Sequence, residues 1–320
     1  MIGIVVLNYR TWKLSKRCME SICRTCSERT YRIYFVDNGS ENPMPDFITQ
    51  FLKRKEDVIR LIQVKKNRGY AAGNNLGMIK ALEDGCSVIV IANNDIVFEH
   101  YAVFRMADSL KKHPGTGIVG PKVVNEKGET QISHCSMRTG MKEIFQLYTA
   151  AKWIFRKKWK LYYCLNQKME APMYVYHVSG CCFAISKECA KEVMPLDEKT
   201  MLYNEELILG IRMEQAGFRT RYEPDSVVVH RHGATTKKVR PFMYQCMSQS
   251  ELYYCAKYQN AKGWQLWLLY HYRRILYMLR CISDKQMRSY RKAFRKNTAH
   301  TYKSIKMDRL KEREKINHTK

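Results

Sequence analysis

"SVIVIANNDIVFEH", residues 87–100, decides the fold. Val88 to Ala92 is short, β-branched and free of polar alternation, the pattern of a strand buried on both faces of a parallel sheet. Such a strand should end in the loop Asn93-Asn94-Asp95. That places one full negative charge, Asp95, at the carboxyl end of a buried strand, where open α/β sheets take their ligands.

Outward from this strand, residues 2–124 alternate apolar runs with amphipathic ones, the signature of a sheet covered by helices on both faces. Strands are predicted at Ile2–Leu7, Tyr31–Val36, Val58–Val64, Val88–Ala92 and Gly117–Val124. Helices are predicted at Leu14–Ile22, Pro45–Lys53, Ala72–Glu83 and His100–Lys112, the last stopped by Pro114. Residues 125–172 break the rhythm with a turn at Glu126-Lys127-Gly128 and a basic, aromatic run, "AAKWIFRKKWKLYYCLNQK". A second ordered block follows: one strand at 174–185, a helix capped by Asn204 and ending at Gly217, and the strand "SVVVH" ending at His230.

The chain has 320 residues, enough for a sizeable core, and a formal charge of +26, which predicts attraction to something anionic: nucleic acid, a nucleotide or a membrane face. "MIGIVVLNYR" lacks a basic leader region and a cleavage site, and reads as a first buried strand. Twelve cysteines without such a leader fit a reducing compartment. Cys23-x-x-Cys26 lacks a second ligand pair and reads as surface thiols rather than zinc ligands, and Cys181-Cys182 as core. Beyond residue 240 the chain is helical, aromatic and basic. "WQLWLLYHYRRILYMLR", 264–280, carries His271, Arg273 and Arg274 in its middle and does not suit a hydrocarbon core of ~30 Å. On a helical wheel Trp264, Trp267, Leu268, Ile275, Met278 and Leu279 share a side with Arg273 and Arg280 opposite, while Leu266 and Leu269 spoil the pattern. An interfacial or a packing helix is expected, and after 281 a solvated basic helix or tail.

The candidate chemistry lies at the strand ends. Four polar loops, Asn8-Tyr9-Arg10, Asp37-Asn38-Gly39-Ser40, Asn67 to Gly77 and Asn93-Asn94-Asp95, would converge on one crevice and build a nucleotide site. Singly, each also reads as turn chemistry or close helix packing. The glycines at 69, 73 and 77 follow the third strand, not the first as in a dinucleotide fingerprint, and no Gly-Lys-Ser/Thr loop is present.

In order and spacing, "VVLNYR", "YFVDNGS", "NRGYAAGNNLG", "IANNDI", "YNEELILGIRMEQAG" and "VVVHRHGAT" resemble a family 2 inverting glycosyltransferase, of the rhamnosyltransferase-like branch of bacterial cell-surface polysaccharide synthesis. The resemblance covers about residues 1–240. It implies an α/β GT-A fold with a Rossmann-like, mostly parallel sheet: a catalytic domain at 1–240 (nucleotide-binding half 1–124, acceptor and catalytic half 125–240) and a basic helical extension at 241–320. It implies transfer from a dTDP- or UDP-sugar to a glycan or lipid-linked acceptor. Asn8 and Asp37 would form the nucleoside pocket, and Arg68, Gly69 and Asn74 would line the nucleotide and donor sugar. Asp95 stands at the last position of the family's Asp-x-Asp motif and would bind a divalent cation, Mg²⁺ or Mn²⁺; Asn93, at the first position, removes one charge. Asn93 and Asn94 would reach ribose or sugar hydroxyls. His230 would complete the metal site, with His232 the neighbour that competes for the role. Glu206 would be the catalytic base, with Glu205 the alternative, its ionised form favoured by the helix dipole, and Arg212 would support the acceptor side. A cytoplasmic enzyme, peripheral at the inner face of the membrane on anionic lipid, is expected. Two other readings are a nucleic-acid-binding basic protein, which leaves the four loops unexplained so that no nucleic-acid partner is expected, and a sugar nucleotidyltransferase, which "LNYRTWK" disfavours for want of a glycine.

Overall fold

The computed structural model describes residues 1–26, 30–167, 169–231 and 239–318. In chain order the elements of the first half are β1 (Ile2–Asn8), α1 (Trp12–Thr25), β2 (Tyr31–Asp37), α2 (Asp46–Arg54), β3 (Ile59–Gln63), α3 (Tyr70–Glu83), β4 (Val88–Asn93), β5 (Ile96–Phe98), α4 (Ala102–Lys112) and β6 (Thr116–Val124). Then follow β7 (His134–Cys135), α5 (Met141–Leu147), α6 (Arg156–Tyr162), β8 (Met173–Val175), β9 (His177–Val178), β10 (Cys182–Ser186), α7 (Lys187–Val193), α8 (Glu205–Gln215) and β11 (Arg219–His230). The chain closes with α9 (Arg240–Tyr258), α10 (Gly263–Ser283), α11 (Lys285–Ser289) and α12 (Arg291–His318).

The main sheet has the order β3-β2-β1-β4-β10-β6-β11-β5, with β8 on β11, and β7 pairs with β9 in a second, two-stranded sheet. β3, β2, β1 and β4 are parallel, and β10 enters antiparallel between β4 and β6. The chain order reverses between β1 and β4, which opens a crevice at their carboxyl ends. The core follows the apolar runs: Ile4, Val6, Ile33, Phe35, Val90 and Ala92 are buried with α1 residues Cys18, Met19 and Ile22.

The second block departs from expectation. The strand expected at 174–185 is three pieces, because Tyr176 bonds to the Cys135 carbonyl and Ser179 to that of Ser133 before β10 joins β4. "SVVVH" is the end of a strand of 12 residues whose register on β6 shifts between Glu223 and Val227. β5 was not expected; a tight turn at Asn94-Asp95 folds it onto the end of β11. Asn204 lies at φ +67°, away from the extended backbone of an N-cap, and its Nδ2 is buried without a partner. The far end of α8 behaves as expected: Gly217 is left-handed, Phe218 N–H donates to the Met213 carbonyl and Gly217 N–H to that of Glu214. Cys23 is half-buried and Cys26 fully buried, so this pair is packing, not surface thiol.

The described chain forms two compact units, one of residues 1–139, 143–198 and 205–232, the other of 140–142, 199–204 and 233–320. In the second unit α10 buries Leu266, Leu269, Tyr270, Arg273, Tyr277 and Cys281. Arg273 is therefore no solvent-facing cation: its Nε and Nη2 grip Glu251 at 2.6 and 2.5 Å, both side chains buried. Among the described residues no helix is long and apolar enough to cross a membrane.

Candidate functional site

The crevice is lined by the ends of β1, β2 and β4 and the start of α3. Asn8 is completely buried and acts as its knot: Nδ2 donates to Asp37 Oδ1 at 3.1 Å and to Ser40 Oγ at 3.2 Å, while Oδ1 accepts from Ser15 Oγ at 2.8 Å and Thr11 N–H at 3.2 Å. Asn94 Nδ2 lies 3.2 Å from the same Oδ1, 2.6 Å from Thr11 Oγ1 and 2.8 Å from Ser15 Oγ. Both ends of the Asn8 amide and the Asn94 Nδ2 are held by the protein, contacts that position the crevice. Asp37 takes Asn8 Nδ2, Ser40 N–H and Ser40 Oγ all on Oδ1. Asn93 is the half-buried last residue of β4, its N–H bonded to the Cys181 carbonyl.

Asn38 holds the third loop, donating to Asn67 Oδ1 and the Gly69 carbonyl and accepting from the Arg68 N–H. Gly69, at φ +89°, turns the chain into α3. Asn74 is completely buried, its Nδ2 on the Tyr70 carbonyl and its Oδ1 without a partner, so it does not line the crevice as expected. The Arg68 guanidinium pairs with Glu198 at 3.1 Å, and Asn75, which the sequence did not single out, donates to the other oxygen of Glu198 and exchanges two bonds with the backbone of Leu196. Arg212 donates to the carbonyls of Val193 and Pro195, holding the same loop from below.

Asp95 and His230 come together. β11 places His230 opposite Ile96, so its Nε2 lies 3.4 Å from Asp95 Oδ1 across the turn. The Asp95 side chain is 24% exposed, yet Oδ1 is buried without a hydrogen bond. A carboxylate oxygen so oriented beside an imidazole nitrogen suits a divalent cation completed by ligand oxygens and water. No cluster of three metal-ligating side chains occurs among the described residues. His232 lies outside the described residues.

Glu205 and Glu206 open α8 and line a small cavity of about 20 Å³ with Tyr70, His177, Gly180 and Leu209, room for about one water. Tyr70, another residue the sequence did not single out, donates to the Gly180 carbonyl at 2.5 Å. Burial raises both carboxyls, and Glu206 raises Glu205 further. That burial opposes the ionised form which the helix dipole was expected to favour. Glu205 Oε2 is buried without a partner, and the two carboxyls, both raised by burial, titrate as a pair.

Residues 2–194 match the model of the family described as Glycosyl transferase family 2. Two curated relatives, each an N-acetylglucosaminyl-diphospho-decaprenol L-rhamnosyltransferase of Mycobacterium tuberculosis (strains CDC 1551 / Oshkosh and ATCC 25618 / H37Rv), are 22% identical over 244 residues, 74% of this chain and 78% of theirs. The structure of GalNAc-T7 with UDP, GalNAc and Mn²⁺ is similar at a TM-score of 0.56 and 13% identity, over 80% of this chain and 51% of that one. Mannosyltransferase PcManGT from Pyrobaculum calidifontis, in complex with GDP-Man and Mn²⁺, is similar at 0.54 and 13%, over 94% and 86%. The two structures share the GT-A fold with this chain.

Proposed function

The chain belongs to glycosyl transferase family 2 and has the GT-A fold, and on that premise we propose that it transfers a sugar, with inversion, from a dTDP- or UDP-sugar to a lipid-linked glycan acceptor in cell-surface polysaccharide synthesis. The curated relatives' names, with a diphospho-decaprenol acceptor, support the lipid link. The observation that carries the reading is the meeting of Asp95 and His230 at the crevice between β1 and β4.

Asp37, fixed by Asn8 and Ser40, faces the nucleoside. Arg68 and the first turn of α3 at Gly69 face the diphosphate with positive charge. A divalent cation, Mg²⁺ or Mn²⁺, held by Asp95 and His230 would neutralise the leaving diphosphate; the Mn²⁺ in both structural relatives supports this. Glu206 takes the proton of the acceptor hydroxyl as that oxygen bonds to the anomeric carbon, and the bond from that carbon to the diphosphate oxygen breaks on the opposite face. The loop that Asn75 and Arg212 pin, with residues 125–240 generally, forms the acceptor side.

The second unit is the membrane contact of a peripheral, cytoplasm-facing enzyme. On α10 the face opposite the buried one exposes Trp264, Trp267, Leu268, Ile275, Leu279 and Ile282, flanked by Arg274. A groove of about 410 Å³ continues it between Trp264, Trp267, Lys306 and Arg309. Such a stripe suits the interface plane of an anionic bilayer.

The test is release of nucleoside diphosphate from a panel of dTDP-, UDP- and GDP-sugars with lipid-extract acceptors. Glu206→Gln should lower turnover by at least about 100-fold while donor affinity stays within twofold. Retained turnover would move the base to Glu205 or elsewhere.

A further inference from the structure

The first unit carries an apolar, basic knob of its own. Ala150–Trp153 form a 3₁₀ turn that leads through Ile154 and Phe155 into α6. Trp153 is 73% exposed and Ile154 82%, with Phe155, Leu161 and Leu165 also at the surface. Isolated exposed apolar groups need no explanation, but a contiguous group at the tip of a helical turn marks an interaction surface. Between Glu143 and Glu170 the sequence has Lys152, Arg156, Lys157, Lys158, Lys160 and Lys168 and no carboxylate. Among the described ones, Lys158 is half-buried and bonded inward, to Glu143 and Gln146, each at 2.7 Å. Lys152, Arg156, Lys157 and Lys160 are exposed, and Lys152 lies over the Trp153 ring at 5.4 Å.

The inner side of the knob is anchored near the catalytic carboxylates. Tyr162 is fully buried with Cys135 and Leu147, and its hydroxyl lies 2.5 Å from Thr139 Oγ1 and 3.0 Å from that of Tyr148. Tyr163, packed edge-on to Trp159 at 5.2 Å, has its phenol raised by burial, with Glu206 among the lesser causes. The knob thus has an exposed, cationic, aromatic tip and a base anchored through Tyr162.

We propose that the tip Trp153-Ile154-Phe155, ringed by Lys152, Arg156, Lys157 and Lys160, inserts into an anionic lipid surface and sets the catalytic unit down where a lipid-linked acceptor emerges. Indole and aliphatic groups enter the headgroup boundary while long cationic side chains reach the phosphates, a match of shape and charge that a bilayer offers. Each cation near such a surface adds attraction that is lost as salt rises. The inference rests on the lipid-linked acceptor for its purpose, but its readout requires neither sugar nor nucleotide.

The experiment is hydrogen exchange of the full chain with vesicles of phosphatidylcholine, alone or containing a quarter phosphatidylglycerol. Amides of 150–161 should slow with the anionic vesicles and much less with the neutral ones. Trp153→Ser/Ile154→Ser should weaken vesicle binding by about tenfold or more, including in an Ile275→Ser/Leu279→Ser background in which α10 cannot mask the effect. Nucleotide binding should stay at the wild-type level; its absence in wild type would undo the transferase reading and leave this one standing. Unchanged exchange at 150–161, or a double variant that binds vesicles as wild type does, would overturn it. So would protection of the segment by a single-stranded RNA oligonucleotide and not by vesicles.

Discussion

Glu205 and Glu206 stand side by side at the head of α8, and their burial has consequences for both rate and stability. A base whose pKa is raised is protonated in mild acid, so turnover should climb with pH through a midpoint above the ordinary carboxylate value, which a pH–rate profile measures. Glu205 has the opposite thermodynamic weight from a salt-bridged acid. Its folded pKa lies above the unfolded one, so the folded state holds the extra proton, and stability falls as pH rises from about 4.5 through the folded value. Glu205→Gln removes that loss. Its melting temperature should match wild type below pH ~4 and exceed it at pH ~8; a constant offset would contradict the assignment. The positions of Asp95, His230 and the Glu pair were legible because each stands at the end of an expected strand or the start of an expected helix. The asparagines were not: nothing in "LNYR" or "ANND" says that Asn8 and Asn94 share one oxygen and two hydroxyls, since those partners depend on tertiary distance.

At the scale of elements, glycines and one ion pair hold the crevice and the helices in place. Gly39 has φ +73°, and a Cβ there would stand 2.4 Å from the backbone carbon of Lys66. Gly39→Ala should destabilise by about 1–3 kcal/mol and weaken nucleotide binding, as chemical denaturation and titration would show. In the second unit, Arg273→Met should cost about 3–5 kcal/mol by stranding Glu251, and Arg273→Met/Glu251→Leu should recover most of it. α10 shows why its wheel was misread. Both faces are apolar; the face with Leu266, Leu269 and Tyr277 packs inward, and the Arg on it is neutralised by a partner twenty-two positions away. The strand at 174–185 failed for a related reason: an apolar run does not reveal that β7 takes one part and β4 another.

Across the whole molecule, the half built from parallel strands was legible from buried β-branched runs, each within a residue or two of its observed ends. The other half was not, because β10 and β11 join the sheet from later in the chain, and β11 brings His230 to Asp95 only through its pairing with β5. Under the proposed function the net charge of +26 would have a use at the crevice, where Arg68 would face an anionic donor, while the knob and α10 would face anionic lipid. Vesicle binding should accordingly weaken steeply with salt, whereas nucleotide binding should weaken less, since a cation-bridged diphosphate is screened less than an exposed surface. The shared site of Asp95 and His230 is tested most directly by calorimetric titration of UDP and dTDP into the full chain with and without Mn²⁺. Mn²⁺ should tighten binding of at least one nucleotide by about tenfold or more in wild type, and Asp95→Asn and His230→Gln should each abolish that gain while Asn93→Ala retains most of it. A gain from Mn²⁺ that survives in both Asp95→Asn and His230→Gln would contradict the site.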